Sequence, residues 1–283
     1  MTQLSYRRLA QHLGVHHAGL HRWVRPSPDA PPSRRSRPVR DDPELRERIR
    51  LLCLEERHHT WGHRRIRALL KRRFDVRVSR KTVCRMMREL GLSQEKVRRR
   101  PWRPRRVRRM LPELPDQAWQ IDQTNVYLSD MRRLYLVVVV DCRTREIVGH
   151  CLDERCRSDE WIAALRTALE SRGLGEGRLQ DLTLRSDNGA QPSSRRFADY
   201  LRSRGITGEF TGYAAPDDNC YVERAIRTLK EEHIYCQSYE SYAEARDGLE
   251  DFIDYYNNER IHSALGYNTP IEIRRQMITP KAA

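Results

Sequence analysis

The sequence predicts an α/β protein: a mixed five-stranded sheet with flanking helices, preceded by an all-α region. Three observations carry this. From about residue 114, β-type and helix-type runs follow one another in the order βββαβαβα. Residues 41–92 pattern instead as three helices. Charge divides at the same place: residues 1–110 carry 32 Lys/Arg against 10 Asp/Glu, and residues 111–283 carry 22 against 29. A chain of 283 residues with net charge +15 also exceeds one typical domain. The boundaries read as a helical region and Pro/Arg linker at 1–40, a helical domain at 41–94, a basic linker at 95–113, an α/β core at 114–260 and a C-terminal tail at 261–283.

Residues 4–24 pattern as two short helices around Gly14, with Leu9, Leu13, Val15, Leu20 and Trp23 available for a small core. A helix-turn-helix and an amphipathic hairpin without DNA contact fit them equally well. Five prolines between Pro26 and Pro38 mark a linker. In the next region Asp42-Pro43 starts the first helix, and Ile66, Leu69 and Leu70 give the second an apolar face. Ser79 is a candidate N-cap for the third. There Val83, Met86, Met87 and Leu90 stand at i, i+3, i+4 and i+7 and are expected to be buried, leaving Arg80, Lys81, Thr82 and Arg85 outward near the N-terminal half. A DNA recognition helix uses that half against base edges, so the four are candidate DNA contacts. A solvated basic face is the plainer alternative. Residues 95–110 hold nine Lys/Arg among sixteen, a tether suited to phosphates, with Trp102 better read as its anchor to the next domain than as a ring stacked on a base.

In the core, Ala118–Leu128 reads as a strand, Leu134–Asp141 with its four valines as a buried one, and Arg145–Leu152 as the third strand of a meander. Helix Asp159–Ser171, strand Asp181–Arg185, helix Ser193–Arg204, strand Ile206–Thr211 and helices at about 219–236 and 239–258 complete the order.

Three carboxylates fall at informative places. Asp122 sits in the first strand, Asp187 just after the fourth, and Glu223, after 35 intervening residues, in a helix. Mg²⁺ prefers such hard oxygen donors, and a pair of ions about 4 Å apart can clamp both oxygens of an in-line phosphoryl displacement. Asp141 is better read as a turn residue before Cys142-Arg143-Thr144, and Asp218 or Asn219 as the cap of the Glu223 helix.

With these residues in place, the chain resembles OrfB, the catalytic frame of insertion-sequence family three, within the retroviral-integrase superfamily. The motifs are Gly62-His63-Arg64-Arg65-Ile66, the three acidic segments, and the run Tyr256 to Leu265, together spanning about residues 60 to 273. The family pattern of Pro, Asp-Asn and then Glu fits Pro216, Asp218, Asn219 and Glu223. The resemblance implies a ribonuclease-H-like core, a helix-turn-helix before it, and cutting and joining of element ends with two Mg²⁺ ions, Mn²⁺ being able to replace them. It gives Asp122, Asp187 and Glu223 the role of metal ligands and catalytic residues. It also places Lys230, two helical turns beyond Glu223, on the DNA end, although a surface lysine fits nearly as well. Arg227 departs from the uncharged residue expected there. The implied partners are double-stranded DNA (terminal inverted repeats and target), an upstream OrfA product, and further copies of the chain. The Tyr256, Asn257, Arg260, His262, Leu265 and Pro270 signature has no metal-ligand spacing and reads as packing or DNA-ordering.

Charge and composition narrow the partners. A cationic first part favours nucleic acid or an anionic membrane, yet no apolar stretch approaches a membrane span and the N-terminus lacks a signal peptide's apolar run. Seven scattered cysteines without a Cys-x-x-Cys pair suggest reduced thiols in a cytoplasm, where a DNA partner would make the chain nucleoid-associated. His58, His59, His63 and Cys84 lack a second cysteine at ligand spacing, so zinc is not expected. Two rival readings remain: a catalytically inactive DNA-binding regulator with the same fold, and a nuclease of RNA–DNA hybrids.

Overall fold

The computed structural model describes residues 42–93, 112–175, 177, 179, 181–211 and 219–278. The segments read at 4–24, 26–38 and 95–110, with Trp102, and the residues Pro216, Asp217 and Asp218 lie outside the described residues. The chain divides into two compact units, residues 1–45 and 46–283. In the first, the described part opens α1 (Pro43–Leu54), where Asp42 Oδ1 accepts the Leu45 N–H at 3.0 Å. Pro43, lacking an N–H, costs nothing at the first helical position.

The second unit continues with α2 (His63–Phe74) and α3 (Arg80–Glu89), which pack on each other. Ile66, Leu69 and Leu70 of α2 and Val83, Met86 and Met87 of α3 are buried, as their helical spacing requires. Leu90 is only half-buried, because α3 has already closed at Glu89 and Leu90 belongs to the turn that ends it. Ser79 caps α3, its hydroxyl accepting the Thr82 N–H at 3.1 Å.

The sheet consists of β1 (Ala118–Tyr127), β2 (Arg133–Asp141), β3 (Ile147–Asp153), β4 (Thr183–Ser186) and β5 (Thr207–Phe210) in the order β3-β2-β1-β4-β5. The β1–β2 and β2–β3 pairs are antiparallel; β1–β4 and β4–β5 are parallel. Parallel neighbours need crossovers, supplied by α4 (Ser158–Ser171) and α5 (Arg195–Arg204). Helices α6 (Cys220–Glu232), α7 (Tyr242–Asn258) and α8 (Pro270–Ile278) follow. The helix read to 236 stops at Glu232; His233 leaves helical geometry and a 3₁₀ turn covers Ile234–Cys236. Helix α8 lies where the sequence suggested only a tail.

Alternation along the strands sorts the core. Trp119 and Ile121 of β1 and Val137 and Val139 of β2 face a layer of Trp161, Leu165, Ala168 and Leu169 from α4 and Phe197 and Leu201 from α5. Trp161 and Phe197 meet edge to face at 5.9 Å, a geometry worth about 1 kcal/mol beyond area burial. Gly149 is obligatory here: a Cβ on it would stand 2.5 Å from the backbone of Ala164 and Ala168. The opposite side chains of β1, Gln120 and Asp122, are thereby turned to the face on which α6 packs.

Asp141 is the turn residue its position suggested. Fully buried, its carboxylate accepts N–H groups of Asp116, Arg143 and Thr144 and the Thr144 hydroxyl at 2.6–3.0 Å. With its oxygens committed to the turn, it is no ligand candidate.

Candidate active site and DNA-facing surface

Strand β1 pairs with β4 only from Ala118 to Gln120. Asp122 therefore lies two residues past the last parallel pair, where the strands part, and Asp187 directly follows the end of β4. Carboxyl ends of adjacent parallel strands, beside a change of strand direction, are where open α/β sheets form their sites. The Asp187 Oδ1 accepts the Gly189 N–H at 3.0 Å, and Asn188 Nδ2 donates to the Thr211 carbonyl at 2.8 Å. These bonds shape the loop that holds Asp187 at the surface.

Glu223 is brought in by α6, and the capping of that helix differs from expectation. Asn219 occupies the cap position but makes no side-chain cap bond; its Nδ2 donates to the Ile121 carbonyl at 3.3 Å. The cap comes from β1 instead. Gln120 Oε1, fully buried, accepts the N–H groups of Tyr221 at 2.9 Å and Val222 at 3.2 Å. A strand residue thus satisfies donors left open by the first helical turn. Arg145 lies over the Tyr221 ring at 3.3 Å and adds a second anchor. Sequence reasoning passed over Gln120; its place two residues before Asp122, on the same strand face, was the available signal.

Electrostatics link the elements. The Asp122 carboxyl is pushed up to about 6: burial raises it most, the Gln123 N–H hydrogen bond lowers it, the negative charges of Asp187 and Glu223 raise it and Lys230 pulls it down. Asp187, Glu223 and Lys230 are accordingly each within electrostatic reach of Asp122. Lys230 is half-buried on α6, whereas Arg227 is exposed. Hard oxygen donors whose mutual repulsion a divalent cation would relieve fit Mg²⁺ in chemistry. Among the described residues, however, no three His, Cys, Asp or Glu side chains stand close enough to hold a metal ion. The carboxylates share a neighbourhood without forming a closed cage.

The candidate DNA contacts separate on inspection. Arg80, Lys81 and Arg85 line one cleft of about 400 Å³ together with Arg64 and Arg88. Thr82 is not in its wall, and its hydroxyl lies 2.9 Å from Ser79 Oγ, inside the cap. Arg85 is partly engaged too, with Glu89 at 3.6 Å.

The C-terminal signature packs, as its residues suggested. Asn257 clips the start of β3, its amide accepting from the Ile147 N–H and donating to the Ile147 carbonyl, both at 2.9 Å. Buried Arg260 makes a two-point pair with Glu232 of α6 at 2.6 and 2.7 Å, and Arg65 of α2 reaches the same carboxylate at 2.9 Å. His262 is edge-on to Tyr256 at 4.7 Å, its proton affinity lowered by burial and by Arg260.

The fold and the likeness to known proteins define a protein of the integrase and transposase class. Residues 112–216 and 204–270 match two family models described as integrase core domain, and residues 40–101 match an HTH-like domain. An insertion element IS407 protein of 31.7 kDa from Burkholderia multivorans is 30% identical over 227 residues, covering 79% of this chain and 78% of the relative. A putative transposase InsK for the insertion sequence element IS150 of Escherichia coli is 29% identical, covering 84% and 85%. The chain spans 66% of the length of a third relative, the 39.2 kDa protein of insertion element IS476 from Xanthomonas euvesicatoria. Among solved structures, a chain of the simian T-cell lymphotropic virus intasome in complex with PP2A regulatory subunit B56 gamma shares the fold, with a TM-score of 0.50 at 18% identity over 83% of this chain and 76% of that one. The chain belongs to the OrfB transposases of insertion-sequence family three, with a ribonuclease-H-like integrase core behind an HTH-like helical region.

Proposed function

We propose that the chain cuts and joins the ends of an insertion sequence by Mg²⁺-dependent phosphodiester hydrolysis and strand transfer, with Asp122, Asp187 and Glu223 as the acidic triad. The observation that supports this best is the place of Asp122 just past the last β1–β4 pair, where burial and the charges of Asp187 and Glu223, carried on separate elements, raise its pKa. Asp122, Asp187 and Glu223 would together hold the divalent ions. Mg²⁺, or Mn²⁺ in its place, would supply an activated water or DNA 3′-hydroxyl on one side and charge stabilisation of the leaving 3′-oxygen on the other. Gln120 holds the start of α6 and so the approach of Glu223, while Lys230 is suited to hold the DNA end next to the carboxylates. Arg80, Lys81 and Arg85 would face the duplex from α3, with the basic stretch at 95–110 along its phosphates.

Double-stranded DNA, both element ends and target, is the partner this reading requires. Further copies of the chain on DNA, an upstream OrfA product and a cytoplasmic, nucleoid-associated location belong to the same proposal, as do the domain limits 41–94 and 114–260. The spread of the carboxylates favours one second reading, a regulator that binds DNA through the same fold without cutting it. Incubating the full chain with a duplex carrying the element's ends, with and without Mg²⁺, separates them. Metal-dependent nicks support the transposase; binding without nicks at any metal concentration supports the regulator.

A further inference from the structure

We propose that Tyr267, with Arg64 and Arg67 of α2, forms a phosphodiester-binding cleft that carries the DNA track from the helix-turn-helix-like region onto the C-terminal signature. The inference rests on the reading of DNA as the partner and adds a contact surface that the packing role of that signature does not require.

Two adjoining clefts, of about 870 and 310 Å³, share Arg64, Arg67 and Tyr267 in their walls. Arg64, Arg67 and Lys71 stand at i, i+3 and i+7 on α2, one stripe of one helix, and Arg80 of α3 closes the smaller cleft. Like charges at these spacings repel and destabilise a helix unless an anion lies across them. The one acidic residue in the wall, Glu272, is already occupied: Arg72 grips it with both guanidinium nitrogens, and it accepts the Thr269 N–H at 2.9 Å to start α8. That grip fixes the Tyr267 turn beside α2 and leaves the cleft strongly cationic.

The turn itself is strained at the residue that matters. Gly266 and Tyr267 both have positive φ, 65° and 66°, and the Asn268 N–H closes on the Leu265 carbonyl at 3.2 Å. Such a turn favours Gly or Asn at both central positions. A bulky aromatic held there against backbone preference, half-exposed between two arginines, points to a function for the ring and its hydroxyl. A phosphodiester strand fits: guanidinium groups take the phosphate oxygens, the hydroxyl donates to a phosphate, and the ring lies against the sugar. The other motif residues here, His262 and Asn257, face inward and are already bonded.

The test uses the full chain and a labelled duplex of arbitrary sequence, titrated over a range of salt. Tyr267→Gly relieves the backbone strain, so the melting temperature is expected to hold or rise while duplex affinity falls about 5-fold; a purely structural tyrosine would give the reverse. Arg64→Gln is expected to weaken binding to a similar extent and to reduce the log–log salt slope by about one, the loss of one phosphate contact. The double variant should lose less than the product of the two, since both act on one strand segment. Wild-type affinity in both single variants overturns the cleft while leaving DNA binding by α3 intact. A wild-type chain that binds no duplex overturns the DNA reading itself, and this inference with it.

Discussion

Gln120 Oε1 and the Val222 N–H meet at 3.2 Å, a bond between the first strand and the first turn of the helix that carries Glu223. Because Gln120 stands two residues before Asp122 on one strand face, its side chain ties the strand that carries one carboxylate to the helix that carries another. The sheet positions Asp122 within β1 and Asp187 at the end of β4, but Glu223, 101 residues after Asp122, arrives from a helix and needs a fastening of its own.

Gln120→Leu is therefore expected to leave two backbone donors and the start of α6 without their acceptor. Unsatisfied buried donors cost about 1–3 kcal/mol, a fall of roughly 5 °C in Tm for a unit of this size. DNA cleavage should fall more than stability explains, by about 10-fold or more, as Glu223 loses its place. Thermal melts and single-turnover cleavage on the same preparations check this; full cleavage by a destabilised variant would confine Gln120 to the fold.

Glu232 predicts a pH dependence. Arg260 and Arg65 hold its carboxyl at about 2, below the ordinary glutamate value, against the opposing effect of burial. A depressed value favours the folded state once the unfolded chain's glutamate is ionised, so its contribution is present above about pH 4.5 and is lost as pH falls toward 2. Glu232→Gln leaves two largely buried guanidinium groups uncompensated, which typically costs about 3–5 kcal/mol. Urea denaturation should show wild type and variant far apart at neutral pH and converging near pH 2. Parallel curves at all pH values would count against the ion triad.

For Lys230→Ala we expect divalent-metal affinity near wild type and a loss of end cleavage on the order of 100-fold, with partial recovery in Lys230→Arg. Calorimetry with Mg²⁺ alongside cleavage rates distinguishes this from an exposed lysine, which would change neither.

Arg80→Ala should weaken binding to element ends more than binding to arbitrary duplex, and more than Arg85→Ala, because Arg85 is already shared with Glu89. Neutralising several arginines between Arg98 and Arg109 should weaken both duplexes equally and flatten the salt dependence. Paired binding isotherms on the two duplexes decide it.

Much of this was legible in the chain. The succession of strands followed from period-two alternation and the valine run at 137–140, and with it the placement of Asp122 within the first strand and Asp187 just after the fourth. Val83, Met86 and Met87 followed from helical spacing. What escaped depends on contacts between distant segments. Asn219 holds the cap position of α6 as the sequence suggested, but the side chain that accepts from its first turn is Gln120, about a hundred residues earlier, since local capping rules see only local acceptors. Thr82 looked outward by spacing, yet its hydroxyl bonds Ser79. Helix α8 did leave a trace, Thr269-Pro270 with Glu272 three residues after the threonine, a capping box. The ion triad of Arg65, Glu232 and Arg260 left none.

The most direct test of the central claim is single-turnover nicking of a duplex carrying the element's ends in Mg²⁺, comparing wild type with Asp122→Asn, Asp187→Asn and Glu223→Gln at saturating protein. Three carboxylates acting together predict metal-dependent nicks from wild type and none from any of the three, with duplex binding unchanged in all. Nicking retained by any one variant, or equal in wild type with and without the divalent ion, would contradict it.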